Sequence, residues 1–89
     1  GSNNHKVRVV RAEGGHLFVG NDNSAGKEFL VFDLLEAPAI TIKGSLDLDG
    51  DPQDMAVFRT FAFVASDSQT EELQIIDVAD FANPALIGT

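Results

Sequence analysis

The sequence predicts an all-β fold built from two consecutive four-stranded antiparallel units of about 45 residues each. Three observations predict it. One segment pattern occurs twice along the chain, each copy contains four short runs rich in Val, Ile, Phe and Leu separated by Gly, Asn, Asp, Ser or Pro clusters, and helical signals are scarce.

The repeat comes first, because a period of roughly 20 to 50 residues decides the architecture. His16-Leu17-Phe18-Val19-Gly20 followed by Asp22 aligns with Phe61-Ala62-Phe63-Val64-Ala65 followed by Asp67, an offset of 45. Phe29 to Leu34 aligns with Leu73 to Val78 at 44, Pro38-Ala39-Ile40 with Pro84-Ala85-Leu86 at 46, and Gly44-Ser45 with Gly88-Thr89 at 44. Offset changes fall in loops, which tolerate insertion.

In the first copy the strands are expected near Val7 to Ala12, His16 to Asn21, Glu28 to Leu34 and Ala39 to Leu46. In the second they are expected near Met55 to Arg59, Phe61 to Ser66, Leu73 to Val78 and Ala85 to Thr89. Glu13-Gly14-Gly15 and a one-residue link at Thr60 read as tight hairpins. The division is then residues 1–6 as a cloning remnant and flexible N-terminus, since Gly1-Ser2 lacks a methionine, 7–46 as the first repeat, 47–54 as an acidic linker and 55–89 as the second repeat.

Phe29-Leu30-Val31-Phe32 and Phe61-Ala62-Phe63-Val64 do not alternate with polar residues. A continuous apolar strand needs cover on both faces of its sheet. Four-stranded sheets covered on both sides and repeated every 45 residues or so are β-propeller blades. A single eight-stranded sandwich or small barrel is the alternative. Two blades share only one interface, so two apolar faces stay open, and the chain is expected to be a homo-oligomer or a fragment of a longer one.

Leu73-Gln74-Ile75-Ile76-Asp77-Val78-Ala79-Asp80 followed by Asn83-Pro84-Ala85-Leu86-Ile87-Gly88 resembles the LVIVD repeat of bacterial and archaeal cell-surface proteins. The first copy keeps the pattern over Phe29 to Leu34 but carries Leu35-Glu36-Ala37-Pro38, a shorter connection without Asn before Pro. The resemblance implies a propeller-like fold, an extracellular or cell-surface location, and no catalytic residues to transfer.

Composition narrows the partners. The net charge of -8, from 6 Lys plus Arg against 14 Asp plus Glu, repels phosphate backbones and anionic lipid surfaces. The only basic cluster is Lys6, Arg8 and Arg11, and no apolar run approaches the roughly 20 residues of a membrane-spanning helix. Neither nucleic acid nor membrane insertion is expected. With no cysteine, stability must come from packing or association.

Asp33 and Asp77 end equivalent strands and are expected to accept hydrogen bonds from the following turns. Asp47, Asp49, Asp51 and Asp54 are the one candidate metal set, because alternating Asp in a Gly-containing loop can offer several oxygens to Ca²⁺. Pro52 and Phe58 stand where an EF-hand needs Gly and Glu, so the plainer reading is a solvated acidic turn and no cofactor. His5 and His16 lack partners at ligand spacing, and no nucleophile elbow or phosphate loop occurs. The chain is therefore read as a noncatalytic interaction or structural module. The rivals are an enzyme or ligand-binding propeller whose site, with Asp22, Asp51 or Asp67 near an axis, forms only in a complete ring, and a Ca²⁺-stabilised adhesion module.

Overall fold

The computed structural model describes residues 6–22, 27–35, 37–48, 50–67 and 72–88. It contains eight strands: β1 (Lys6–Glu13), β2 (His16–Asp22), β3 (Phe29–Asp33), β4 (Thr41–Leu46), β5 (Pro52–Phe58), β6 (Phe61–Ser66), β7 (Leu73–Asp77) and β8 (Ala85–Gly88). They form two separate antiparallel meanders, β1-β2-β3-β4 and β5-β6-β7-β8. All eight expected strands are present, and neither sheet closes into a barrel.

The two sheets repeat each other in detail. Val10 pairs with Val19 as Met55 pairs with Val64, Phe18 with Val31 as Phe63 with Ile75, and Asp33 with Thr41 as Asp77 with Ala85. Even the irregularities recur. The register shifts between Val7 and Val9 in β1 and between Pro52 and Asp54 in β5, and between Val31 and Phe32 in β3 and between Ile75 and Ile76 in β7. A bulge bends and twists its strand, so matching bulges give both sheets the same curvature.

Several boundaries move from their expected places, each for a local reason. The β1–β2 hairpin turns on Gly14 and Gly15, whose φ of 57° and 81° suit a two-residue turn with both residues left-handed. The β5–β6 hairpin has the same length. Its turn is Arg59-Thr60 rather than Thr60 alone, and Arg59 itself takes a φ of 56°. The linker is shorter than 47–54, because β5 already begins at Pro52, where a proline can open a strand without wasting a ladder donor. In the first unit β4 starts at Thr41, not Ala39. Ile42, not Ile40, is then the mate of Leu86, since each pairs with the equivalent residue Phe32 or Ile76. Both β3–β4 and β7–β8 connections therefore run the same length, and the Pro-Ala match at offset 46 is a sequence coincidence. The true mate of Phe81 is Ala37.

The core lies between the sheets. Val9, Phe18, Phe29 and Val31 from the first unit meet Met55, Ala62, Val64, Ile76 and Val78 from the second, with Leu48 of the linker closing one edge. Strand β5 packs beside β1 and β2. The pair forms a slab of 38 × 35 × 18 Å, thin in the direction that two stacked sheets about 10 Å apart would give. Among the described residues no helix is long and apolar enough to cross a membrane.

Candidate interaction faces

Alternation along a strand sends successive side chains to opposite faces, so each sheet has two sets of positions. In the first sheet His16, Phe18, Gly20, Phe29 and Val31 face the second sheet. The ring of Phe81, from the β7–β8 connection, stacks on His16 with centroids 3.6 Å apart and leans on Phe18 at 6.1 Å. A Cβ added at Gly20 would meet Pro52, and one added at Gly44 would collide with the Phe81 carbonyl and crowd Pro84. The second sheet turns the other set inward: Met55, Ala62, Val64, Gln74 and Ile76 are buried.

The repeat mates of the first set point away. Phe61, Phe63, Ala65, Leu73 and Ile75 occupy the positions of His16, Phe18, Gly20, Phe29 and Val31, yet they form the outer face of the second sheet. Phe29 is 0% exposed and its mate Leu73 is 48% exposed. The converse holds on the first sheet, where the outward Val10, at 43% exposed, is the mate of Met55, at 3%. A two-fold sandwich would put equivalent faces together. Here opposite faces meet, which is how successive propeller blades stack.

Both outward faces are apolar. The first sheet presents Val10, Leu17, Val19, Leu30 and Phe32, with Ile42 at its edge; Val19 alone among these is buried. The second presents Phe61 and Phe63, whose rings lie 6.4 Å apart, beside a shallow groove of about 220 Å³ lined by Ala56, Ala65 and Leu73 together with Asp54. A further cavity of about 340 Å³ opens between the sheets at the hairpin-turn end, lined by Glu13, Phe18, Val57, Phe58, Arg59 and Phe81.

The acidic residues do architectural work. Asp33 accepts the Leu35 amide and Asp77 the Ala79 amide, both at 2.8 Å, as their recurrence suggested. Each turn is then locked to a hairpin, with the Leu34 amide donating to the Gly15 carbonyl and the Val78 amide to the Thr60 carbonyl. Asp80 accepts from the Ala82 amide and from Asn83 Nδ2, which fixes the turn that presents Phe81. Those bonds, first that from Asn83, hold the Asp80 carboxyl below the ordinary Asp value, helped by nearby Lys43 and opposed only by slight desolvation.

Of the candidate metal set, Asp49 lies outside the described residues. Asp47 is paired with Lys27 at 3.3 Å and Asp54 with Arg11 at 2.7 Å, while the Asp51 amide donates to Asp67 at 2.6 Å. Among the described residues no three His, Asp or Glu side chains come together as a metal would need. Of the three acids considered for a ring site, Asp51 and Asp67 meet through the Asp67 amide donating to the Asp51 carbonyl and the Asp51 amide donating to the Asp67 carboxylate, and Asp22 pairs with Arg8 at 3.1 Å. Sequence reading passed over Glu28, whose buried carboxylate accepts the Leu48 amide at 2.7 Å and pins the linker. Its pattern carries no signal, because a lone Glu at a strand edge is ordinarily solvated.

The fold and its faces define a repeat module of the propeller class. Residues 49–89, a little under half of the chain, match the family model of the LVIVD repeat, and the matched segment contains the second sheet. No curated protein and no solved structure matches the chain.

Proposed function

We propose that this chain is a noncatalytic interaction and structural module of a secreted or cell-surface protein, whose two outward sheet faces are built to be covered by further blades. The observation that carries the reading is the exposure of residues whose repeat mates are core. Leu73 and Val10 stand open at positions where Phe29 and Met55 are sealed. Contiguous apolar area of this kind marks association surfaces. The resemblance to surface-protein repeats supports the location, and the acidic surface suits a partner that is neither nucleic acid nor anionic lipid.

Binding of an apolar dye together with sedimentation velocity across a dilution series tests the reading. The expected result is dye binding that falls as mass rises with concentration. A folded monomer that binds no dye at any concentration refutes it.

A further inference from the structure

We infer that the partner of the outward faces is a second copy of this chain docked head to tail, so that the outer face of the second sheet in one copy covers the outer face of the first sheet in the next. The inference rests on the interaction-module reading and names its partner. The template is the interface inside the chain, where a face of one type in the first unit meets a face of the opposite type in the second.

The two free faces are again one of each type. Phe61, Phe63, Ala65, Leu73 and Ile75 repeat the first unit's buried face position by position, and Val10, Leu17, Val19, Leu30 and Phe32 repeat the second unit's. Matching bulges give the sheets the same twist, so the stacking found once can recur. None of these ten outward positions carries a charge in a chain of net charge -8, whereas the built interface accommodates His16 and Gln74. Beside these ten positions Asp54 stands in the place of the core residue Val9, its carboxylate held by Arg11. An isologous dimer would oppose two faces of the same type, for which the chain offers no precedent. A head-to-tail contact between unlike faces generates a ring when its rotation closes.

One knob is missing from the copied interface. Phe81, which fills the space above His16, Phe18 and Gly44, has Ala37 as its mate, with the exposed Leu35 nearby. The contact between copies is therefore looser than the contact within one, and copies separate on dilution before the two sheets of a chain do.

The test uses Val10→Arg and Ala65→Arg, each at an exposed site on a different outward face, in the 89-residue chain. Light scattering after size exclusion is run on the wild type, each variant alone, and their mixture. Wild type above monomer mass, each variant monomeric, and a mixture that forms a one-to-one dimer and nothing larger is the expected result, because each variant keeps the face the other lacks. A variant that dimerises alone overturns the head-to-tail geometry and leaves the association reading standing. Wild type that stays monomeric while binding apolar dye overturns the second copy as partner; monomeric without dye binding, it overturns both readings. If either substitution abolishes the far-UV strand signal, Ile42→Lys and Leu73→Lys on the same two faces replace them.

Discussion

Gly44 and Gly88 hold equivalent places, opposite Val31 and Ile75, and the same substitution should destabilise the chain at the first and not at the second. A methyl at Gly44 runs into the Phe81 carbonyl and lies 2.9 Å from Pro84 Cδ. Because the obstacle is backbone held by the Asp80 turn, relief requires the β7–β8 connection to withdraw from the first sheet. Overpacking of this kind costs about 1–3 kcal/mol, more where backbone must shift. Against it stands the smaller conformational freedom of the unfolded Ala chain, about 0.4–1 kcal/mol. The net loss for Gly44→Ala is then about 1–2 kcal/mol, and in a domain of this size each kcal/mol lowers Tm by roughly 4–8 °C. At Gly88 the new methyl meets only Ile75 of its own sheet, no closer than 3.4 Å. Only the unfolded-state gain applies there, and Gly88→Ala should be neutral or up to about 1 kcal/mol stabilising. Urea unfolding followed by far-UV circular dichroism, in the Val10→Arg background to keep the chain monomeric, measures both. Equal effects at the two glycines would refute the arrangement of one sealed and one open blade face.

Phe81→Ala should cost about 2–3 kcal/mol in the same assay, below the roughly 3–5 of a fully buried Phe because the ring is only partly buried; an unchanged midpoint would mean that the β7–β8 connection does not clamp the sheets. Asp80 titrates below its unfolded value, so what it contributes is fully present above the unfolded pKa and is lost as pH falls through the folded one. Asp80→Asn should therefore flatten the acid limb of the stability profile and leave the neutral-to-basic limb parallel to wild type, which acid titrations of Tm would show. Millimolar Ca²⁺ should leave Tm unmoved, since recruiting Asp47 and Asp54 would break their pairs with Lys27 and Arg11; a rise in Tm with saturable heat in calorimetry would overturn this. Raising salt should strengthen association of the chain, because copies of net charge -8 repel through solvent while the proposed contact is mostly apolar, its Asp54 already paired with Arg11; weaker association at high salt would point to an electrostatic interface instead.

The strands were legible because their signal is local. Apolar runs such as Phe29 to Phe32 and Phe61 to Val64, bounded by turn residues, appear as β3 and β6 within a residue of where the pattern puts them. Asp33 and Asp77 were legible for the same reason, as their bonds reach only two residues along the chain. What escaped depends on contacts across the fold. The start of β5 at Pro52 is fixed by packing on Gly20 of the other sheet, and the Pro38-to-Pro84 match misled because the two prolines sit at different depths in connections of equal length. The clamp formed by Phe81, His16 and Gly44 joins three segments that no spacing rule relates. Glu28 and Leu48 likewise meet only once the linker folds back.

The continuous apolar strands pose a question that parity answers. A strand such as β6 is apolar on both faces, yet within this chain only Ala62 and Val64 are sealed while Phe61 and Phe63 are half-buried. If the chain were a finished two-layer sandwich, the outer positions would gain nothing from being apolar, and their mates in the other sheet would share the same inner face. Neither holds. Phe63 points away from the core that its mate Phe18 occupies, so the relation between the units is a repeated step and not a two-fold exchange. A repeated step has no natural last member. Each unit carries one face that receives its neighbour and one that is received, and the sequence keeps both types apolar even where this chain has no unit to set against them.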